Sequence, residues 1–151
     1  MIRLYGLLAL ILISLTPEYA QSTQPVASSA ETITLTRLIG SWTLVKHGHF
    51  NRSGQYHSTG DQMSGQLIYA PDGSMSVLIT KIPKPAQLSD IIAYSGTFSI
   101  AGNKVLHHIR VSPDPRLVGT TAIRLISFQG ADLVLKTEPN ADGYWEIVWR
   151  K

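Results

Sequence analysis

The sequence predicts an all-β fold, an eight-stranded up-and-down antiparallel barrel, and three observations carry that prediction. From residue 41 onward β-prone runs alternate with turn residues at short intervals, no stretch shows a long apolar pattern of period 3.6, and the runs pair off as consecutive hairpins. A two-sheet sandwich is the alternative, and the scarcity of long crossovers favours the barrel. Eight strands close around an interior that either fills with side chains or holds one small ligand.

The first strand is "SWTLVKHGHF" (41–50), followed by the polar loop "NRSGQYHSTGDQ". The runs "SGQLIYA" and "SMSVLIT" flank "PDG" at 71–73, where Pro presets φ and Gly accepts a positive one, so they form a hairpin. Two prolines in "KIPKPAQLSD" break the pattern and leave room for no more than a helical turn or a lid. A second hairpin runs from "IIAYSGTFSI" through "AGN" into "KVLHHIRV". After the Pro-rich "SPDPRL", a third joins "VGTTAIRLISF" through "QGAD" to "LVLKTE", and "YWEIVWRK" ends the chain.

The N-terminus is of another kind. A basic "MIR" precedes the dozen mostly apolar residues "LYGLLALILISL", then Pro17 and Ala20, which is the layout of a secretory signal peptide. Cleavage is expected after Ala20, with Ala30 the second choice. Residues 1–20 are therefore read as a signal peptide, 21–37 as a flexible Ser/Thr/Gln-rich leader and 38–151 as the barrel domain, exported to the periplasm or secreted. Membrane contact is expected only through the signal segment. The chain has no cysteine, so the domain relies on its core rather than on disulfides. Its net charge is +3, and apart from Arg150 and Lys151 no two basic residues are adjacent, which argues against a nucleic-acid groove.

At the head of the first strand stands "LIGSWTLV", with Gly40 and Trp42 in a Gly-x-Trp arrangement. This resembles the signature of lipocalins, and the further series "GQLIYAPDGSMSV", "IAYSGTFSI", "VLHHIRVSPDPRLVGT" and "IVWRK" looks like the small bacterial lipocalin-like domain family. The resemblance covers nearly all of residues 38–150. It implies a calyx of the calycin type that binds a small hydrophobic or amphipathic molecule. It also implies that Trp42 plugs the closed end and that an arginine, Arg124 or Arg150, packs over it. Some related barrels act as isomerases or cyclases, so an enzyme acting on a small hydrophobic substrate is the alternative, and a structural or interaction module with a filled barrel is the third reading. Binding without catalysis is the main expectation, and no cofactor is expected.

The candidate ligand-binding residues are Trp42, Tyr69, Met75, Tyr94, His107 and Arg124. In "VLHHIRV" successive side chains alternate in direction, so His107 shares a face with Val105, Ile109 and Val111. An inward imidazole can orient a carbonyl or carboxyl group, move a proton as acid or base with Tyr94 or Arg124, or simply satisfy a neighbouring polar group. If the protein is an enzyme, His107, Tyr94 and Arg124 are the catalytic candidates. Arg124 shares parity with Ala122, Ile126 and Phe128, and a buried arginine needs a carboxylate, carbonyls or an anionic ligand. His47 and His49 lie two apart on the first strand and suit a zinc pair, but no cysteine or nearby acid completes one. By Trp42 parity they point outward, as surface histidines, and no metal site is expected.

Overall fold

A computed structural model describes residues 35–59, 62–82 and 87–151. The expected signal segment, both expected cleavage positions and the expected leader up to residue 34 lie outside the described residues. Among the described residues nine strands run in chain order: β1 (Gly40–Asn51), β2 (Tyr56–Ser58), β3 (Met63–Tyr69), β4 (Ser74–Lys81), β5 (Ile91–Ala101), β6 (Lys104–Val111), β7 (Thr121–Gln129), β8 (Asp132–Lys136) and β9 (Gly143–Arg150). All pairings are antiparallel, in the order β2-β1-β3-β4-β5-β6-β7-β8-β9, and β9 pairs back onto β1. The result is a closed eight-stranded barrel with β2 as an added strip. That ninth strand arises inside the polar loop, where Asn51 Oδ1 accepts hydrogen bonds from the backbone amides of Ser53 and Gln55 and reverses the chain.

The hairpins close where turn chemistry allows. At "PDG", Gly73 takes φ of 82° and Asp72 Oδ1 accepts from the Ser74 amide at 2.9 Å. Among the described residues of the break that follows β4, a 3-10 turn spans Leu88–Asp90.

One end of the barrel is shut. Residues 35–38 form a helical turn that delivers Leu38, wholly buried, next to Trp42, whose indole N–H donates to the Leu38 carbonyl at 2.8 Å. The cation over the Trp42 ring is Lys151, its Nζ 4.6 Å from the ring centre, and it donates to the carbonyls of Arg37 and Ile39. The expectation that Arg124 or Arg150 packs there is thus corrected. Arg150 is drawn off by the outer face, where it forms a two-pronged ion pair with Asp132, and Arg124 lies farther along the barrel. With no disulfide, stability comes from fully buried side chains such as Leu38, Leu67, Ile79 and Leu133, each contributing roughly 2 kcal/mol.

Two β-bulges alter which way side chains face. In β1 the pairing with β9 passes from Leu44↔Trp149 to Lys46↔Val148, so Val45 is an extra residue and bulges outward. Trp42 and Leu44 point inward before it, and His47 points inward after it. The expectation of outward histidines therefore fails for His47, which is 8% exposed. Between β5 and β6 the register steps from Ser95↔Val111 to Gly96↔Ile109, skipping Arg110. Val111 consequently leaves the face of His107 and is 64% exposed.

Candidate functional site

A cavity of about 180 Å³ occupies the barrel interior on the far side of the plug. Its walls are apolar over most of their area, from Leu67, Val77, Ile79, Leu135 and Ile147, with Trp145 and Trp149 as aromatic panels. Tyr94, His107, Arg124, His47 and Thr137 bring polar groups to it. Ile92 and Trp145 belong to this lining and are 39% and 41% exposed, so the cavity approaches solvent beside them. Its volume is of the order that takes one benzene-sized ring, an apolar cavity of roughly 150 Å³ being known to do so. The barrel is thus largely filled by its own side chains and keeps a small chamber.

The polar heart of the barrel is built on adjacent strands. β6 sends His107 inward between Val105 and Ile109, all three buried, while β5 supplies Tyr94 and Phe98 and β3 supplies Tyr69. The His107 ring is held at both nitrogens: Nε2 shares a 2.7 Å hydrogen bond with the Tyr69 hydroxyl, and Nδ1 one of 2.9 Å with the Tyr94 hydroxyl. Phe98 packs against Tyr69 with ring centres 4.7 Å apart. Burial, aided by the Arg124 cation and by His108, pushes the His107 pKa down to about 3, so the ring is neutral at physiological pH.

A neutral imidazole has one N–H and one lone pair, and proton counting selects the tautomer. Tyr69 is 1% exposed and its hydroxyl bonds His107, so it is satisfied by donating to Nε2. Nδ1–H then donates to the Tyr94 oxygen, and the Tyr94 O–H remains free to donate into the cavity. Arg124 comes from β7, in register with Val105, and its guanidinium lies beside the Tyr94 hydroxyl, restraining the rise in pKa that burial imposes on that phenol. One guanidinium nitrogen donates to the Ile123 carbonyl at 2.8 Å, and among the described residues no carboxylate pairs with it. The cavity therefore holds a cation and a phenolic donor side by side, where a hydrogen-bond acceptor or an anion would be stabilised.

Of the residues singled out from the sequence, Tyr94, His107 and Arg124 line the cavity together. Trp42 and Met75 belong to the packed core outside this lining, and Tyr69 sits behind His107. Both nitrogens of His107 are taken, so as an acid or base it would act through Tyr94 and not on a substrate directly. Sequence reasoning missed His47, Thr137, Trp145 and Trp149 as lining residues. For His47 the obstacle was the bulge at Val45, which has no sequence signature; for Trp145 and Trp149, period-2 alternation along β9 was a usable signal.

A family model described as "Lipocalin-like domain" matches residues 39–89 and 84–151. Among solved structures, the crystal structure of a mutant of the fluorescent protein UnaG aligns over 78% of this chain and 97% of that one, with 13% identity and a TM-score of 0.43. A comparison with the curated proteins finds no match.

Proposed function

Because this chain belongs to the lipocalin-like domain family, we propose that it binds a small molecule with an apolar body and a carboxylate or carbonyl head, inside the barrel and without a cofactor. The observation that carries this reading is Arg124 in the cavity wall, free of any carboxylate among the described residues and beside the Tyr94 hydroxyl. A guanidinium in an apolar chamber is costly unless an anion or a strong acceptor meets it. The chamber's size restricts the body to one ring or a short chain. We also propose that the domain is exported, on the basic start and apolar run of residues 1–20; an intact N-terminus on protein recovered from the cytoplasm would overturn that.

Titration of the domain with benzoate and with benzyl alcohol, followed by tryptophan fluorescence, tests the binding reading, since Trp145 and Trp149 line the chamber. Benzoate should bind the more tightly, and Arg124→Leu should reduce its affinity roughly 10- to 100-fold, the worth of a charge-assisted hydrogen bond. Equal binding of the two compounds, or an Arg124→Leu variant that binds benzoate as before, would overturn it.

A further inference from the structure

In an eight-stranded barrel the strand facing β1 is the fourth along, and in this order that strand is β6. Tyr94 and Arg124 stand on β5 and β7, the strands either side of β6, so the donor pair looks across the chamber toward β1. What β1 presents there is His47, turned inward by the bulge at Val45.

The state of His47 follows from its neighbours. Thr59 Oγ1 donates to the His47 carbonyl at 2.7 Å, which uses its only proton. The 3.1 Å contact between Thr59 Oγ1 and His47 Nδ1 must then have Nδ1–H as the donor. A neutral ring protonated at Nδ1 carries its lone pair on Nε2, and burial lowers the pKa of His47, favouring that neutral form. Nε2 has no hydrogen-bond partner among the described residues. Trp145 stacks on the ring, with centres 5.0 Å apart and planes 26° from parallel, and so fixes its orientation.

We propose that His47 Nε2 is a second anchor of the binding site, accepting a hydrogen bond from a hydroxyl or N–H at the far end of the ligand. The ligand is then bifunctional: a carboxylate or carbonyl at the Tyr94 and Arg124 wall, a ring-sized apolar body between, and a hydrogen-bond donor at the β1 wall. This rests on the binding reading above. It adds a selectivity that an arginine alone would not provide, because an acid lacking the distal donor leaves Nε2 unpaired.

The test compares 4-hydroxybenzoate, 4-fluorobenzoate and benzoate on the full domain by calorimetry. The hydroxy acid should bind about tenfold more tightly than the other two, as one hydrogen bond in a partly buried site contributes. His47→Phe, which keeps the stack on Trp145, should erase that advantage, so that the variant binds the hydroxy acid and benzoate within about twofold of each other, whatever the change in their common affinity. Thr59→Val keeps the imidazole but releases its tautomer, and should shrink the advantage in a protein that needs no repacking at His47. Equal binding of all three acids to the wild type, or an advantage that survives His47→Phe, would overturn the proposal while the acid-binding reading stands. Failure of all three to bind would overturn both.

Discussion

The neutral, doubly held His107 makes the barrel sensitive to acid in a way that can be worked from the structure. Its pKa falls from 6.5 to about 3 on folding. At 1.36 kcal/mol per unit, this gap of 3.5 units corresponds to about 5 kcal/mol against protonating the ring in place. Between pH 6.5 and pH 3 the unfolded chain binds a proton that the folded chain refuses. The contribution to stability is therefore fully present above pH 6.5 and is lost progressively as the pH falls toward 3. At pH 5, about 1.5 units into that window, the loss from this one ring is about 2 kcal/mol. His47, lowered by burial, adds a loss in the same direction. The lowered carboxylates Asp72, Asp114, Asp132 and Glu146 start from ordinary values of 4.5 or less, so their losses come later in an acid titration. Urea unfolding at pH 7, 6 and 5 measures the slope, and the ring signals of His107 in a nuclear magnetic resonance titration of the native protein identify its source. A stability that stays level from pH 7 to pH 5, or a His107 signal in the folded protein that titrates near 6.5, would refute the reasoning.

Two substitutions probe the frame around the site. Tyr56 packs on Phe50 with ring centres 5.0 Å apart, but its hydroxyl is buried with no hydrogen-bond partner among the described residues, so Tyr56→Phe should stabilise the domain. A gain of about 1 kcal/mol is expected from urea unfolding, and a loss would show that the hydroxyl is satisfied after all. Gly96 sits at the β5–β6 bulge, where an added Cβ would lie 2.0 Å from the His108 carbonyl oxygen. Gly96→Ala should therefore destabilise the sheet beside His107 by about 2 kcal/mol or more, read as a lowered melting temperature with faster amide exchange in β6; unchanged exchange there would contradict the close approach.

The removal of His107 illustrates how far a one-strand reading reaches. From the sequence, His107→Ala in a binding protein is expected to weaken ligand uptake and leave the fold intact. The structure puts both His107 nitrogens on buried tyrosine hydroxyls, so the same change removes two hydrogen bonds and orphans the Tyr69 hydroxyl in the core at about 1–3 kcal/mol, while Tyr94 keeps Arg124 beside it. His107 is a structural member first, and its influence on a ligand passes through the hydroxyl of Tyr94.

The lipocalin resemblance at the Gly-x-Trp start implied the plugging Trp42, while period-2 alternation and hairpin turns were enough to place the eight barrel strands and the inward faces of His107 and Arg124. These are local properties: a strand's pleat decides side-chain direction from one residue to the next, and turn residues decide where it stops. Other features depend on how strands pair across the barrel. The extra residue at Val45 reverses the parity of His47, the skipped Arg110 expels Val111, and the closure of β9 on β1 brings Lys151 over Trp42 from the other end of the domain. The chamber of about 180 Å³ belongs to the same class, because it is the space left after side chains from the barrel wall have packed against one another. Local chemistry wrote the strands and their faces; register, bulges and closure, which exist only when strands meet, decided which polar groups share the interior.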